Sequence, residues 1–434
     1  MELPDTVLLE IFSYIPIPER WIISRVCKSW YRASHDPYLY RHLNFDCLEF
    51  RTLVLSLQKI LTISPRVKSI RIHGCYSKFI QNTVVPVHFS SRANTTMLFS
   101  HITALQPPRR REEYQKHKFE LHDQFSDVMN SLLRNNRHHL TSIWIEHSSL
   151  DLEMTELFCA IACHSHALES FIYNNNHDKG IQSSGLLQAI VTACPNMKHF
   201  RGLHSGMDDA VLATIARHWI SLKSLTLCSL KSRDVLGHAE IMSEGRQLLG
   251  SSPTGRISHR VLWQLLCKCR QLETLELHDL ACISNRDLGG YEGMLMQLLQ
   301  DETRPKRYQP YTIPKTTYPH SLLHTTPKRS SIRPGASVRH LIITKYMTTP
   351  LSKPGFESIL RLFPQLSCLE YETNFYTFDN LFEGITRDMF HAECDAVHEW
   401  CKRQERLTYV GRWNASVTAE QRLMAGMASV SEGA

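Results

Sequence analysis

One spacing of apolar residues recurs along most of the chain. The pattern L-x-x-L-x-L-x-x is typical of a short strand with one buried face, and amphipathic helical stretches such as TELFCAIACHS and DDAVLATIARH precede many of its copies. Strand and helix in alternation predict a solenoid in which neighbouring repeats bury each other's apolar faces. The copies begin at residues 67, 140, 168, 197, 222, 272, 338, 366 and 407, the last being irregular.

The intervals between the copies predict both the repeat type and its interruptions. The copies at 140, 168, 197 and 222 lie 28, 29 and 25 residues apart, a period typical of leucine-rich repeats. Longer intervals predict insertions at about 76–111, 231–253 and 301–337. The third insertion is rich in proline and basic residues and, like the tail at 414–434, is expected to be extended or disordered.

The first 46 residues carry a different, wholly helical pattern. Asp5 is expected to cap a first helix, and Pro16 and Pro18 end it because neither has a backbone N–H. The segment ERWIISRVCKSWYRAS predicts a second helix, and Asp36-Pro37 opens a short third turn. A unit this small has more apolar residues than its own core needs, so the surplus is expected to pack on the rest of the chain or on another protein.

These residues resemble the F-box motif, with two departures. Tyr40 stands where the family usually has Trp, and only Met1 and Glu2 precede the Leu-Pro pair. With the repeats, the resemblance is to the F-box/leucine-rich-repeat family and covers nearly all of the chain before Asn414. The alternative is a helical cap on the domain behind it. The matching residues are Leu3-Pro4, Leu8-Leu9, Ile11-Phe12-Ser13, Val26-Cys27-Lys28, Trp30, Asp36-Pro37 and Leu39-Tyr40-Arg41.

The resemblance implies a fold, a role and a docking partner. The fold is α/β: a three-helix F-box at 1–46 followed by an irregular leucine-rich-repeat solenoid at 47–413. The role is that of a non-catalytic substrate-recognition adaptor, whose F-box docks a Skp-type linker subunit and, through it, a cullin-RING ubiquitin ligase. Trp30 is open to a second interpretation, as part of the hook's core. The expected linker contacts are Leu3, Pro4, Leu8, Ile11, Pro16, Cys27 and Trp30.

The protein substrate is expected on the concave face of the sheet, at positions that flank the buried leucines. Trp144 is the best single anchor there, since aromatic residues dominate binding hot spots. Mixed charges along this surface argue against a groove that follows nucleic-acid phosphates. The predicted substrate-facing residues are Arg71, His73, Trp144, Glu146, Arg201, Glu276, His278, Glu370 and Glu372.

Composition and charge narrow the compartments and partners that the chain is expected to have. The chain has 42% hydrophobic and 21% charged residues, no apolar run of eighteen and no secretory signal, so a cytoplasmic or nuclear protein without a membrane span is expected. Its net charge of +7 is concentrated in the basic third insertion, which makes nucleic acid a weak alternative partner. A non-degradative F-box scaffold is the main alternative function.

No enzyme, cofactor or metal motif is found. The chain lacks the phosphate-loop, dinucleotide and H-E-x-x-H patterns, and in GLHSG the serine comes one place too late for a nucleophile elbow. His391, Cys394, His398 and Cys401 share one helix face, but four ligands over three turns cannot all reach one ion. A two-ligand site completed from elsewhere stays open.

Overall fold

A computed structural model describes most of the predicted elements. The predicted insertions and the tail at 414–434 lie outside the described residues except at their edges. The described residues are 3–76, 108–146, 155–174, 184–202, 207–228, 257–278, 334–345, 351–374 and 387–414, with positions 288, 291 and 293.

The N-terminal residues form a hook of three helices, α1 (Asp5–Ser13), α2 (Ile17–Ile23) and α3 (Lys28–Ser34), followed by a 3₁₀ turn at Pro37–Tyr40. Two predictions were wrong in detail. Asp5 is already helical, and Pro4 occupies the N-cap without a side-chain bond. The predicted second helix is two helices, because Cys27 is extended (φ −159°, ψ 171°) and interrupts the helical hydrogen bonds.

Ten parallel strands of the described chain form one sheet in sequence order, each paired with its predecessor. All nine predicted strands are confirmed, and they are preceded by a tenth that the repeat scan missed. The strands are β1 (His42–Asp46), β2 (Ser69–His73), β3 (Ser142–Glu146), β4 (Ser170–Asn174), β5 (His199–Gly202), β6 (Ser224–Cys228), β7 (Thr274–His278), β8 (His340–Lys345), β9 (Cys368–Asn374) and β10 (Thr408–Asn414).

Helices connect the strands except between β7 and β8, where the described residues contain no complete helix, and on either side of that gap neighbouring helices pack beside one another in chain order. Their apolar faces form a continuous core with one face of the sheet. Parallel neighbours joined by helices give the α/β solenoid that the repeats predict. The helices are α4 (Phe50–Ile63), α5 (Pro108–Asn135), α6 (Thr155–His164), α7 (Ser184–Ala193), α8 (Asp209–His218), α9 (His259–Lys268), α10 (Lys353–Leu362) and α11 (Arg387–Lys402).

The missed strand β1 joins the hook to the solenoid. Its residues follow the repeat spacing with Tyr40 in the first leucine position, and Leu43 and Phe45 are buried. β1 pairs in parallel with β2, and α2 packs against both α4 and β1. The hook and the solenoid therefore share one core.

The residues that end successive helices form a hydrogen-bonded series, here called the helix-end ladder: Ser165, Cys194, Trp219 and Cys269. The Cys194 thiol donates to the Ser165 carbonyl at 3.2 Å, and the Trp219 indole Nε1 donates to the Cys194 carbonyl at 2.9 Å. The Cys269 thiol donates to the Trp219 carbonyl at 3.6 Å. Each of these carbonyls at a helix C-terminus also accepts the backbone N–H three residues further on, so the side-chain bond adds a second donor and ties one repeat to the next.

Candidate functional site

The hook has a buried side held by Arg20, which the sequence analysis did not single out. Its guanidinium is 6% exposed and donates three hydrogen bonds to backbone carbonyls: Nε to Ile15 (2.8 Å), Nη1 to Leu39 (2.7 Å) and Nη2 to Ser13 (3.2 Å). Burial lowers the pKa of Arg20, and the nearby Tyr40 opposes that effect. These bonds fix the end of α1 against the 3₁₀ turn.

Tyr40, the departure from the usual F-box Trp, is fully buried. Its hydroxyl donates to the Ser34 carbonyl at 2.7 Å, and its ring stacks on Trp21 with centroids 5.4 Å apart. Burial raises the pKa of Tyr40 far above its usual range, so the phenol stays neutral. The substitution for Trp is thus accommodated within the hook's own core.

The hook also carries a group of exposed apolar residues, here called the hook patch. Of the twelve large hydrophobic residues exposed in the described chain, eight lie in the first 38 positions. Such a concentration is typical of interaction surfaces, because exposed apolar residues are usually scattered singly over a protein. The hook patch comprises Leu3, Val7, Ile11, Tyr14, Ile22, Val26, Tyr31 and Tyr38.

The predicted linker contacts divide between the two sides of the hook. Leu3, Pro4, Ile11, Pro16 and Cys27 are exposed. Trp30 is half-buried and meets Phe12 edge-on, with centroids 5.4 Å apart, so it also serves the core, as the second interpretation of Trp30 holds.

Leu8 is a correction to the predicted linker contacts. It is 1% exposed, because it shares the inward face of α1 with Phe12, and it offers no surface to a partner. Val7, Ile22 and Val26 were not among the predicted contacts and are 41%, 66% and 64% exposed. Val7 and Ile22 lie on the outward faces of α1 and α2, and Val26 lies in the bend between α2 and α3.

The predicted substrate residues lie on the sheet face opposite the helices, here called the open face. Register places Arg71 beside Trp144, and Ile172 lies between Trp144 and Arg201. Glu276 and Glu370 continue the same row on later strands, separated by Ile342. Strand periodicity puts all of them on one side of the sheet.

Trp144 is only half-buried by its neighbours and is held on two sides. The Arg71 guanidinium lies over its ring, 4.7 Å from the centroid, and its indole Nε1 donates to Glu146 Oε2 at 2.7 Å. Arg71 Nε lies 3.9 Å from Asp46 Oδ1, and His73 Nδ1 lies 3.6 Å from the same oxygen. The anchor predicted from sequence is therefore fixed in orientation.

Arg201 bridges two carboxylates that lie two strands away on either side. Its Nη1 is 3.2 Å from Glu146 Oε1, and its Nε is 3.4 Å from Glu276 Oε2. Glu146 and Glu276, predicted as exposed, are only 5% and 8% exposed, because the sheet packs these neighbouring side chains together. They position Arg201 and present little surface of their own.

Glu276 stays ionised within this cluster. Burial by itself would raise its pKa, but the hydrogen bond from His278 and the positive charge of Arg201 outweigh burial and lower it. His278 lies between two partners, with Nε2 3.4 Å from Glu276 Oε2 and Nδ1 2.9 Å from Thr344 Oγ1. The centre of the open face is thus a connected set of paired charges.

A second cluster lies toward the C-terminal end of the open face. His340 Nε2 is 2.9 Å from Glu370 Oε1, Cys368 lies next to both, and Glu372 is half-buried two residues beyond Glu370. Partial burial, and then the charge of Glu370, raise the pKa of the Cys368 thiol. Of the helix cluster considered from sequence, Cys394 and Cys401 are buried, and the side chain of His391 lies outside the described residues.

None of the described helices is long and apolar enough to cross a membrane.

Comparison with known proteins finds that the hook is similar to F-box domains. The F-box-like family model matches residues 1–46. Human F-box/LRR-repeat protein 12 is 42% identical over 74 residues, which are 17% of this chain and 23% of that protein. The mouse protein of the same name is 41% identical over 73 residues, 17% and 22% of the two chains. Together these findings show similarity to F-box/leucine-rich-repeat proteins over a short part of the chain.

The similarity to these relatives is confined to less than a quarter of their length. It covers only 17% of this chain, so the solenoid is described from the structure of this chain alone. A solved leucine-rich-repeat protein, LegL7 from Legionella pneumophila, covers 74% of this chain and 70% of its own at 15% identity and a TM-score of 0.31. The solenoid assignment therefore depends on the order of the ten parallel strands.

Proposed function

We propose that this protein is the substrate-recognition adaptor of an SCF-type ubiquitin ligase. The observation that carries the proposal is the hook patch, an exposed apolar surface on a domain that matches the F-box-like family model. F-box domains generally bind a Skp-type linker, and the linker would join this chain to a cullin-RING ligase. The chain itself would supply proximity, because holding a substrate near the charged conjugating enzyme makes the transfer effectively intramolecular.

The proposed substrate surface is the open face around Trp144 and Arg201. Arg71 stacked on Trp144 offers a rigid aromatic and cationic element of the kind that forms binding hot spots. Internal pairing of Glu146 and Glu276 with Arg201 leaves the region without a strong net charge. This pattern fits a folded or extended protein partner better than a polyphosphate.

The docking proposal is tested by the affinity of the full chain for a purified Skp-type linker. Val26→Asp and Ile11→Asp each place a charge in the hook patch, and we expect each to weaken binding by about 100-fold or more, equivalent to about 3 kcal/mol. Both side chains are exposed, so the thermal stability of the chain should hardly change.

Two further variants serve as controls for that test. Ile220→Asp alters an apolar residue on the solenoid that is 62% exposed, close to the 64% of Val26, and should bind the linker like the wild type. Leu8→Ala removes a buried side chain and should lower stability as well as affinity. Wild-type affinity in Val26→Asp and Ile11→Asp would show that the hook patch is not the docking surface. Linker binding without ubiquitin transfer to any captured protein would instead favour the non-degradative scaffold.

A further inference from the structure

Three side chains with metal-binding chemistry meet on two neighbouring strands of the open face. His340 begins β8, Cys368 begins β9, and the two residues are direct partners in the parallel register. Glu370 follows Cys368 by two positions and therefore points to the same side of the sheet. One donor atom from each residue lies within 4.8 Å of the other two, the one such group of His, Cys, Asp and Glu found in the described part of the chain.

We propose that His340, Cys368 and Glu370 form a binding site for Zn²⁺. The three donors are an imidazole nitrogen, a sulfur and a carboxylate oxygen, which are the three ligand types that zinc takes in proteins. A thiolate with an imidazole disfavours Mg²⁺ and Ca²⁺, which prefer all-oxygen sites. The site does not depend on the docking function proposed above, and it involves neither the hook nor the linker.

The geometry of the strands suits a tetrahedral ion. Zinc bonds of about 2.0–2.1 Å to N or O and about 2.3 Å to S put tetrahedral ligand atoms roughly 3.3–3.6 Å apart. His340 Nε2 and Glu370 Oε1 are 2.9 Å apart and no two donor atoms are more than 4.8 Å apart. Side-chain rotations that shift these atoms by about 1 Å would therefore bring them to tetrahedral spacing. All three side chains are partly exposed, which gives the ion a path from solvent.

Binding would change the protonation of one ligand. The Cys368 thiol would release its proton to solvent as the thiolate–zinc bond forms, and the existing His340–Glu370 hydrogen bond would be replaced by two metal bonds. Three protein ligands leave a fourth coordination position, which water or a donor atom of a bound protein would occupy.

The test is titration of the full, metal-free chain with Zn²⁺ alone in competition with a chromophoric chelator. We expect one tight equivalent, and Co²⁺ in its place should give the thiolate-to-cobalt charge-transfer absorption of a cysteine-ligated ion. Cys368→Ser and His340→Gln should each weaken the tight site by more than about 100-fold, since even changes behind the ligands cost 10–100-fold.

Controls separate this site from adventitious binding by the other cysteines and histidines. Cys163→Ser and His166→Gln change exposed or partly exposed residues elsewhere on the solenoid and should keep the tight equivalent. Circular dichroism of Cys368→Ser and of His340→Gln shows whether each variant is still folded. The two substitutions lie on different strands, so they test the site independently. A folded Cys368→Ser or His340→Gln chain that binds Zn²⁺ like the wild type would overturn the proposal, as would a Co²⁺ complex without charge-transfer absorption.

Discussion

At the scale of single residues, Glu276 links the charges at the centre of the open face. It is almost fully buried, 3.4 Å from both Arg201 and His278. Glu276→Gln keeps the shape but removes the negative charge, so Arg201 loses one of its two ionic partners. Since Arg201 is partly exposed, we expect a loss of about 1–2 kcal/mol in the free energy of unfolding near pH 7, measured by urea denaturation.

The lowered pKa of Glu276 predicts that the stability of the protein depends on pH. Folding lowers the pKa of Glu276 below its ordinary value of 4.5, so its contribution to stability is complete above pH 4.5 and is lost as the pH falls through the lower folded value. The wild type should therefore lose more stability than Glu276→Gln between about pH 6 and about pH 3.5. Parallel loss in the two proteins would show that another carboxylate governs acid sensitivity.

At the scale of elements, the helix-end ladder explains two cysteines that composition alone describes only as buried. Burial raises the pKa of Cys194 and of Cys269 to about 12, so both thiols remain protonated donors at neutral pH. Cys194→Ala would leave the Ser165 carbonyl with only the Leu168 N–H, at 3.1 Å, and would remove a buried sulfur. The lost hydrogen bond and lost packing should together cost about 1–2 kcal/mol of stability. Chemical denaturation measures this cost.

A matched variant isolates the ladder from the general effect of losing a thiol. Cys159→Ala changes an exposed cysteine on α6 and should leave the denaturation midpoint within experimental error of the wild type. In the native protein a maleimide should modify Cys159 readily and Cys194 hardly at all, as read by mass spectrometry of tryptic peptides. Equal labelling of the two would mean that the ladder opens frequently.

The sequence predicted the elements better than the contacts between them. Nine strands follow from the repeat spacing, because alternate buried leucines are visible locally. β1 escaped because Tyr40 replaces the first leucine and because its residues overlap the F-box motif. The burial of Leu8 and the clustering of His340 with Cys368 depend on packing and strand register between residues distant in sequence. A single amino-acid sequence does not reveal these contacts.

The open face shows the same limit. Alternation along each strand placed all nine predicted residues on one side of the sheet, yet it could not show that Arg201 holds Glu146 and Glu276. Because Glu146 and Glu276 pair with Arg201 from two strands away, these two predicted contact residues are buried and hold Arg201 in place. The candidate surface is therefore narrower than predicted and is centred on Arg71 and Trp144.

At the scale of the whole molecule, the hook and the solenoid form one continuous core. Leu43 and Phe45 are 1% and 0% exposed, and β1 lies against both β2 and α2. A docking domain fused in this way would hold the open face at a fixed distance from the ligase. Fixed geometry suits proximity catalysis, since a flexible link would lower the effective concentration of the substrate.

This continuity predicts that the segment matched by the F-box-like family model does not fold alone. A fragment of residues 1–46 would expose Leu43, Phe45 and the α2 surface that packs on α4, and a unit of that size has little core to spare. We expect its circular dichroism to be that of a largely unfolded chain. Extension to residue 76 restores α4 and β2 and should recover helix and cooperative unfolding, whereas a stable 1–46 fragment would show that the hook is an independent domain.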